Sequence, residues 1–259
     1  FEVANSSMLA FVKDKPHLIP VGSVHPFQKN MKEEFTLLSQ ARVGFVKILP
    51  NSMHFAPNDP ACLAFFEHLV KHKMVLIAHV GDEKAVDVGG VQDEYGNPLL
   101  YEPWLKKFPS LKIIFAHVGS EGVSSDHDGK EVANFDLVLR MMEQFPQQTF
   151  ADISAFSSVP ARVSYLPNLL TRKDLFPRLI YGSDYPIPCF LPLIKVNLLF
   201  LQYYGLLSHI DDLVQFKENI LQVYQYNPLL SSLLLMKNIS YEGNNLPLEV
   251  FYKNIFALL

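Results

Sequence analysis

A chain of 259 residues is long enough for one large domain, and a hydrophobic fraction of 49% against 19% charged residues places it among ordinary globular proteins. The formal charge of −4 is small and spread along the sequence with no long basic run, which argues against nucleic acid as a partner. Two cysteines, Cys62 and Cys189, make neither a disulfide framework nor a Cys-x-x-Cys metal site, so free thiols in a reducing, cytoplasmic setting are expected.

Phe1 rather than methionine opens the chain, so residues before it are expected, and no charged leader with an apolar core follows. From there, short apolar runs alternate with stretches of helical spacing. Leu18 to Val24 is the first run and Lys32 to Ala41 the first helix. Gly44 to Leu49 follows, then a helix over Ala61 to Lys71, with Asp59 as its cap and Pro60 in its first turn. Met74 to His79 and Leu111 to His117 are the third and fourth runs. A long loop over Ser120 to Lys130 then leads into a helix over Glu131 to Gln144. Thr149 to Ile153 and Arg178 to Tyr181 complete the runs. Leu191 to Tyr204 is again helical. The apolar stretch around it, Leu191 to Leu207, contains Lys195, Asn197 and Gln202 and is short of the roughly 20 residues that a membrane span needs. It predicts a buried amphipathic helix, with no membrane partner.

Each run is rich in Val, Ile, Leu or Phe without strict alternation, which suits strands buried on both faces. Strand and helix in turn predict parallel βαβ units, in one domain over residues 1–259. Periodicity leaves two architectures open, a doubly wound sheet and a closed barrel. No Gly-x-Gly-x-x-Gly follows any run, so the dinucleotide-binding form of the open sheet has no support.

The residues at which the runs stop favour the barrel. The third ends Ala78-His79-Val80-Gly81 and the fourth Ala116-His117-Val118-Gly119. The fifth ends Ala151-Asp152-Ile153-Ser154 and the sixth Gly182-Ser183-Asp184-Tyr185-Pro186. Barrel strands bring such tips to a common mouth, where barrel enzymes do their chemistry. Neutral imidazole and carboxylate suit a divalent ion such as zinc, which lowers the pKa of a coordinated water from 15.7 to about 7. Asp184 beside that water would take its proton and hand it to the leaving group. Lys47 is the one charge inside an otherwise apolar strand and needs a partner there, either at the rim or as a site residue bridging two metals. His25 is a strand-tip residue read as rim or pocket wall. Glu83 and Arg162 are candidate substrate contacts that equally suit surface salt bridges. Glu121, Asp126, His127 and Asp128 in the long loop would serve as a second metal site or, more simply, as solvated loop. His68 and His72, four apart on a helix, read as solvated.

These pieces together resemble the amidohydrolase superfamily of barrel hydrolases and decarboxylases. The matching strings are Gly44-Phe45-Val46-Lys47, Ala78-His79-Val80-Gly81, Ala116-His117-Val118-Gly119, Asp152-Ile153-Ser154 and Gly182-Ser183-Asp184-Tyr185-Pro186. Pro20-Val21-Gly22-Ser23-Val24-His25-Pro26, Lys47-Ile48-Leu49-Pro50-Asn51-Ser52 and Asn227-Pro228-Leu229-Leu230 resemble a narrower branch of it. The resemblance implies a (β/α)₈ barrel with His79 as the fifth-strand metal ligand and His117 as the sixth-strand one, or, as in one-metal members, His117 as a catalytic residue that activates water or polarises the substrate. It implies Asp184 as the eighth-strand ligand and proton shuttle, and Lys47 at the position where some two-metal members carry a carbamylated lysine. One or two divalent ions, zinc first among them, are implied with it.

Counting back from those assignments numbers the six runs three to eight, so the barrel is incomplete at its N-terminal side. No His-x-His, the pair such a resemblance places on the first strand, occurs among the nine histidines. Fewer ligands predict weaker metal binding, and six strands predict two exposed sheet edges and low stability. The functional expectation is a metal-dependent hydrolase attacking a C–N or C–O bond of a small molecule. Non-oxidative decarboxylation by the same site and a degenerate barrel without turnover are its alternatives. Homo-oligomerisation stays open.

Overall fold

Every apolar run picked out above carries a β-strand in the computed structural model, which describes residues 3–84, 86, 90–186 and 191–258. The chain divides into two units, residues 1–150 and 151–258. The first opens with α1 (Asn5–Val12), β1 (Val21–Ser23), α2 (Met31–Gln40), β2 (Phe45–Ile48), the single turn α3 (Pro50–Met53), α4 (Leu63–Lys71) and β3 (Val75–Ala78). It continues with α5 (Glu102–Lys107), β4 (Ile113–Phe115), a hairpin of β5 (Val123–Ser125) and β6 (Glu131–Ala133), and α6 (Asn134–Gln144). β1 to β4 pair in parallel, each with the next in sequence. The side chains of β2 to β4 are buried almost throughout, as unbroken apolar runs require, whereas the run carrying β1 was expected to be buried and is exposed at Val21 and Ser23 on the sheet edge.

The helices cover these strands with residues at helical spacing: Phe35 and Leu38 on α2, Phe65, Phe66 and Leu69 on α4, and Phe135, Val138 and Met142 on α6 are buried. The α2 contact also explains Gly22 in β1, because a Cβ there would stand 2.5 Å from Leu38 Cδ1. Asp59 caps the start of the α4 segment as expected, its carboxylate accepting from Ala61 N–H. Cys62 just beyond is buried, and its thiol is pushed up to about 12 by burial, with Asp59 adding to it. Cys189 lies outside the described residues.

Two expectations need correction in this unit. The loop over Ser120 to Lys130 is largely the β5–β6 hairpin, and the helix expected from Glu131 starts only at Asn134. Its charged residues are drawn to different partners and do not gather. Asp126 pairs with Arg140 at 3.6 Å, His127 with Glu102 at 2.8 Å, and Glu121 with Lys84 at 3.5 Å. His68 and His72 are only partly solvated: their rings stack with Phe35 at 5.2 and 6.1 Å, and burial holds both below the ordinary histidine value.

Glu102 ties the hairpin to α5 and α6. Burial pushes its carboxyl up, but hydrogen bonds from Lys106 and Gln144 and the charges of Lys106 and His127 outweigh that and hold it below 4.5. The unfolded chain therefore takes up this proton first. The stabilisation is complete above the ordinary value and is lost as pH falls through the lower, folded one. Glu102→Gln is expected to flatten the acid side of the stability–pH curve below about pH 4.5, which urea titrations at stepped pH would reveal.

The outer edge of β1 is met from within the unit. The Asn5 side chain works as a stand-in for a neighbouring strand: its Nδ2 donates to Ser23 O at 2.8 Å and its Oδ1 accepts from Ser23 N–H at 3.0 Å. Nδ2 also donates to Glu34 Oε2 at 2.7 Å. Asn5→Ala leaves Ser23 without both bonds and is expected to cost about 1–3 kcal/mol, read from the shift in the urea midpoint.

β7 (Thr149–Asp152) starts at the end of the first unit, where Ile113 N–H donates to Gln148 O just before it. Within the second unit its Ala151 and Asp152 pair in parallel with β8 (Leu179–Ile180). Between them lie the short α7 (Pro160–Val163) and α8 (Leu166–Thr171). After β8 come α9 (Leu191–Tyr203), α10 (Leu213–Tyr226), α11 (Pro228–Lys237) and α12 (Leu248–Tyr252). Tyr181 N–H, just past β8, donates to Val250 O, and Asn254 Nδ2 donates to Phe176 O and Leu179 O, so α12 and its end serve this strand.

α9 was expected to be buried, and half of it is. Ile194, Asn197, Leu198 and Leu201 face inward, with Asn197 Nδ2 donating to Phe156 O. Val196, Leu199, Phe200 and Tyr203 form an exposed apolar stripe on the other side. No helix among the described residues is long and apolar enough to cross a membrane.

Candidate active site

In the first unit, the ends of β3 and β4 bring two predicted residues together. His79 N–H donates to Ile48 O, so the ladder runs one residue past β3 and His79 keeps the alternation of the strand. Lys47 and Ile77 are register partners, which puts Lys47 on the face that His79 also uses, two residues beyond Ile77. His117 follows β4 in a left-handed turn, with φ of 41°, 53° and 59° at His117, Val118 and Gly119. A β-branched residue at positive φ is a backbone outlier costing about 1–3 kcal/mol, kept only where the surroundings enforce it. The turn brings His117 Nε2 to 3.0 Å from His79 Nδ1, with the rings at 67°. Both histidines are buried, 6% and 3% exposed.

Glu83 is the third member of this cluster, its Oε2 lying 3.5 Å from His79 Nδ1. At 8% exposure it is no surface salt bridge. Its other oxygen accepts from Val86 N–H, and its own N–H donates to Asp93 Oδ1. Lys47 is half-buried and makes no ion pair among the described residues. His25 has both nitrogens engaged by backbone. Nδ1 accepts from Phe27 N–H, which leaves Nε2 carrying the hydrogen that meets Met53 O at 2.9 Å, so only its ring face is open to a ligand.

Asn51 was quoted from the sequence without a role. It is fully buried, and its Nδ2 donates to Gly81 O at 3.2 Å, holding the turn directly after His79. Gly96 closes the same turn, its carbonyl accepting from Gly81 N–H, and a Cβ on Gly96 would stand 2.1 Å from Gly81 O. The sequence signal was there in Pro50-Asn51-Ser52 after an apolar run, but its partner lies thirty residues on.

In the second unit, α7 and the turn after β8 place two further predicted residues, Arg162 and Asp184, side by side. Ala155 and Asp184 take φ of 58° and 61° just past their strands, repeating the left-handed habit of the His117 turn. Arg162, 7% exposed, donates from Nη1 to Ser154 O at 3.2 Å, and the same nitrogen is 3.7 Å from Asp184 Oδ2. The guanidinium thus fixes one carboxylate oxygen against the β7 turn. Asp152 Oδ1 accepts from Ser154 N–H and tightens that turn.

The sequence from residue 2 to 191 matches the model of the amidohydrolase family, a span that includes every one of these strand tips. The chain belongs to the amidohydrolase family. Among solved structures it is similar to an uncharacterised TIM-barrel protein of Bordetella bronchiseptica, at 17% identity over 89% of this chain and 73% of that one, TM-score 0.56. It is also similar to a probable 2-pyrone-4,6-dicarboxylic acid hydrolase of Acinetobacter baumannii with citric acid bound, at 18% identity over 71% and 64%, TM-score 0.50. A weaker likeness, TM-score 0.48 at 13% identity over 75% and 63%, is to a 5-carboxyvanillate decarboxylase of Novosphingobium aromaticivorans with bound manganese. The chain thus spans less than two thirds of the length of the hydrolase and of the decarboxylase. No curated protein matches it. The likeness to the Bordetella protein shows an α/β fold of barrel type, and this amidohydrolase carries six of its parallel strands among the described residues.

Two imidazole nitrogens in hydrogen-bond contact at 3.0 Å stand a little inside the roughly 3.4 Å that two bonds of about 2.1 Å at a tetrahedral angle span. A small parting of the rings would let the pair serve as two ligands of a divalent ion. Catalytic zinc sites take about three protein ligands and leave a position for water, whereas among the described residues no group of three His, Cys, Asp or Glu is arranged for one.

Proposed function

We propose that this amidohydrolase is a metal-dependent hydrolase of a C–N or C–O bond in a small molecule. The observation that carries the reading is the meeting of His79 and His117 at the tips of neighbouring parallel strands. They would hold the ion, zinc being the first candidate, and Lys47 on the same face is a further candidate ligand. When bound, a divalent ion lowers the pKa of water from 15.7 to about 7 and so supplies a nucleophile at neutral pH.

Asp184 would accept the proton of the attacking water as its oxygen adds to the carbonyl carbon. It would then deliver that proton to the departing nitrogen or oxygen, ending as it began. Arg162 would hold the carboxylate in one orientation through this cycle, and it and Glu83 are the candidates for substrate contact.

The test loads the purified chain with zinc or manganese, measures bound metal, and follows a set of lactones, esters and cyclic amides for ring or bond opening. Metal-dependent hydrolysis of at least one is expected. Less than about a tenth of an equivalent of bound metal, with no hydrolysis, would remove the reading. Release of CO₂ from an aromatic acid without hydrolysis would replace it with decarboxylation.

A further inference from the structure

Two buried asparagines stand behind the turns that carry the site histidines. Asn51, in α3, has its Nδ2 on Gly81 O at 3.2 Å, and Gly81 lies two residues past His79. Asn134, the first residue of α6, has its Nδ2 on Glu121 O at 3.1 Å, and Glu121 lies four residues past His117. Each amide faces a carbonyl oxygen, so each presents its NH2 group. A carboxylate or an apolar side chain in the same place would leave that carbonyl without a donor.

The two held carbonyls belong to one structure. Glu121 O also accepts from Asp82 N–H at 3.2 Å, which joins the turn after His117 to the turn after His79. Missing side chains permit the approach: a Cβ on Gly81 would stand 2.6 Å from Glu121 O, and one on Gly122 would strike Asp82 Oδ1. Gly81 is gripped at both ends, its N–H donating to Gly96 O at 2.8 Å while its carbonyl accepts from Asn51. The other turn needs such a hold, because His117 and Val118 keep a positive φ that persists only where the surroundings enforce it. Ser120 N–H on His117 O closes that turn on itself alone, whereas Asn134 and Asp82 pin it from outside. Neither asparagine bond is to an imidazole, so their effect on the rings passes through the backbone.

We propose that Asn51 and Asn134 are positioning residues that set the spacing of the His79 and His117 rings, acting through the Gly81 and Glu121 carbonyls. The use of that spacing, to hold an ion, rests on the hydrolase reading; the positioning itself belongs to the metal-free chain.

Asn51→Leu and Asn134→Leu keep the side-chain volume and remove the donor. Imidazole nitrogen NMR spectra of the isotope-labelled, metal-free full chain, assigned by single histidine substitutions, read the 3.0 Å contact between the rings. The His79 and His117 signals are expected to move in both variants. Those of His68 and His72, stacked with Phe35 in the same unit and touched by neither amide, are expected to stay. Zinc affinity, from chelator competition, is expected to fall about tenfold in each variant, the low end of the cost of losing an outer partner of a metal ligand. Melting curves confirm the fold, and Asn51→Ser and Asn134→Ser, too short to reach the carbonyls, replace any leucine variant that does not fold. Unmoved His79 and His117 signals in folded variants would overturn the proposal. So would equal movement at His68 and His72, the mark of a general loosening. A parent that binds no zinc would end the hydrolase reading, and the ring signals would still decide the role of the asparagines.

Discussion

Asp184→Asn is expected to lower hydrolysis by the zinc-loaded chain about a thousandfold, within the 10²- to 10⁴-fold range of general acid–base catalysis, while the melting temperature moves by no more than a few degrees. The substitution isolates proton transfer because it changes little else. Asp184 sits at φ 61°, and asparagine tolerates that left-handed backbone as well as aspartate does. The asparagine amide oxygen would still face the Arg162 guanidinium, now 3.7 Å from Oδ2. Alanine would be a poorer probe, since it strains the turn and strands a guanidinium that is 7% exposed. The measurement is kcat at saturating substrate, together with bound zinc, for parent and variant. Equal turnover numbers would end the proton-shuttle role. A variant that lost zinc instead would move Asp184 from shuttle to ligand.

The strands were legible because burial on both faces leaves a mark that depends on nearby residues only. Val75-Leu76-Ile77-Ala78 and Ile113-Ile114-Phe115 are read correctly within a residue or two, and a histidine or aspartate ending such a run stands out against it. What escaped was whatever depends on a distant partner. The β5–β6 hairpin has short strands of mixed polarity, and helical spacing running back from Asn134 masked the second of them. His68 and His72 look solvated on their own helix and are covered only because α2 lays Phe35 over them. Asn5 gives no sign that its amide would complete an edge eighteen residues away. Ser157, Ser183 and Ser232 face one shallow cleft in the second unit, with nothing in the spacing to join them. The left-handed turns after β4, β7 and β8 were invisible too: Ala155 and Asp184 are not glycines, and Val118 is among the residues least suited to that backbone.

His79→Ala and His117→Asn are each expected to weaken zinc binding more than about a hundredfold, since losing even an outer partner of a metal ligand costs 10- to 100-fold. Asparagine is the substitution of choice at 117, where φ is 41° and alanine would add backbone strain to the loss of the imidazole. Chelator competition gives the affinity directly. Melting gives it independently, because zinc at a hundred times its dissociation constant stabilises the folded parent by about 2.7 kcal/mol, a shift that both variants should lack. His68→Ala is the matched control. It removes one of another adjacent pair of imidazoles, His68 and His72, whose rings stack face on at 5.8 Å and 9°. His79 and His117 instead meet edge on, nitrogen to nitrogen at 3.0 Å, in a contact that an ion would replace by taking both lone pairs. Zinc affinity unchanged in His79→Ala and His117→Asn would mean that this contact is a hydrogen bond fixing the β3 and β4 turns, and the ion would have to be sought elsewhere in the chain. Affinity lost in both and kept in His68→Ala would tie the ion to the strand tips rather than to histidine content.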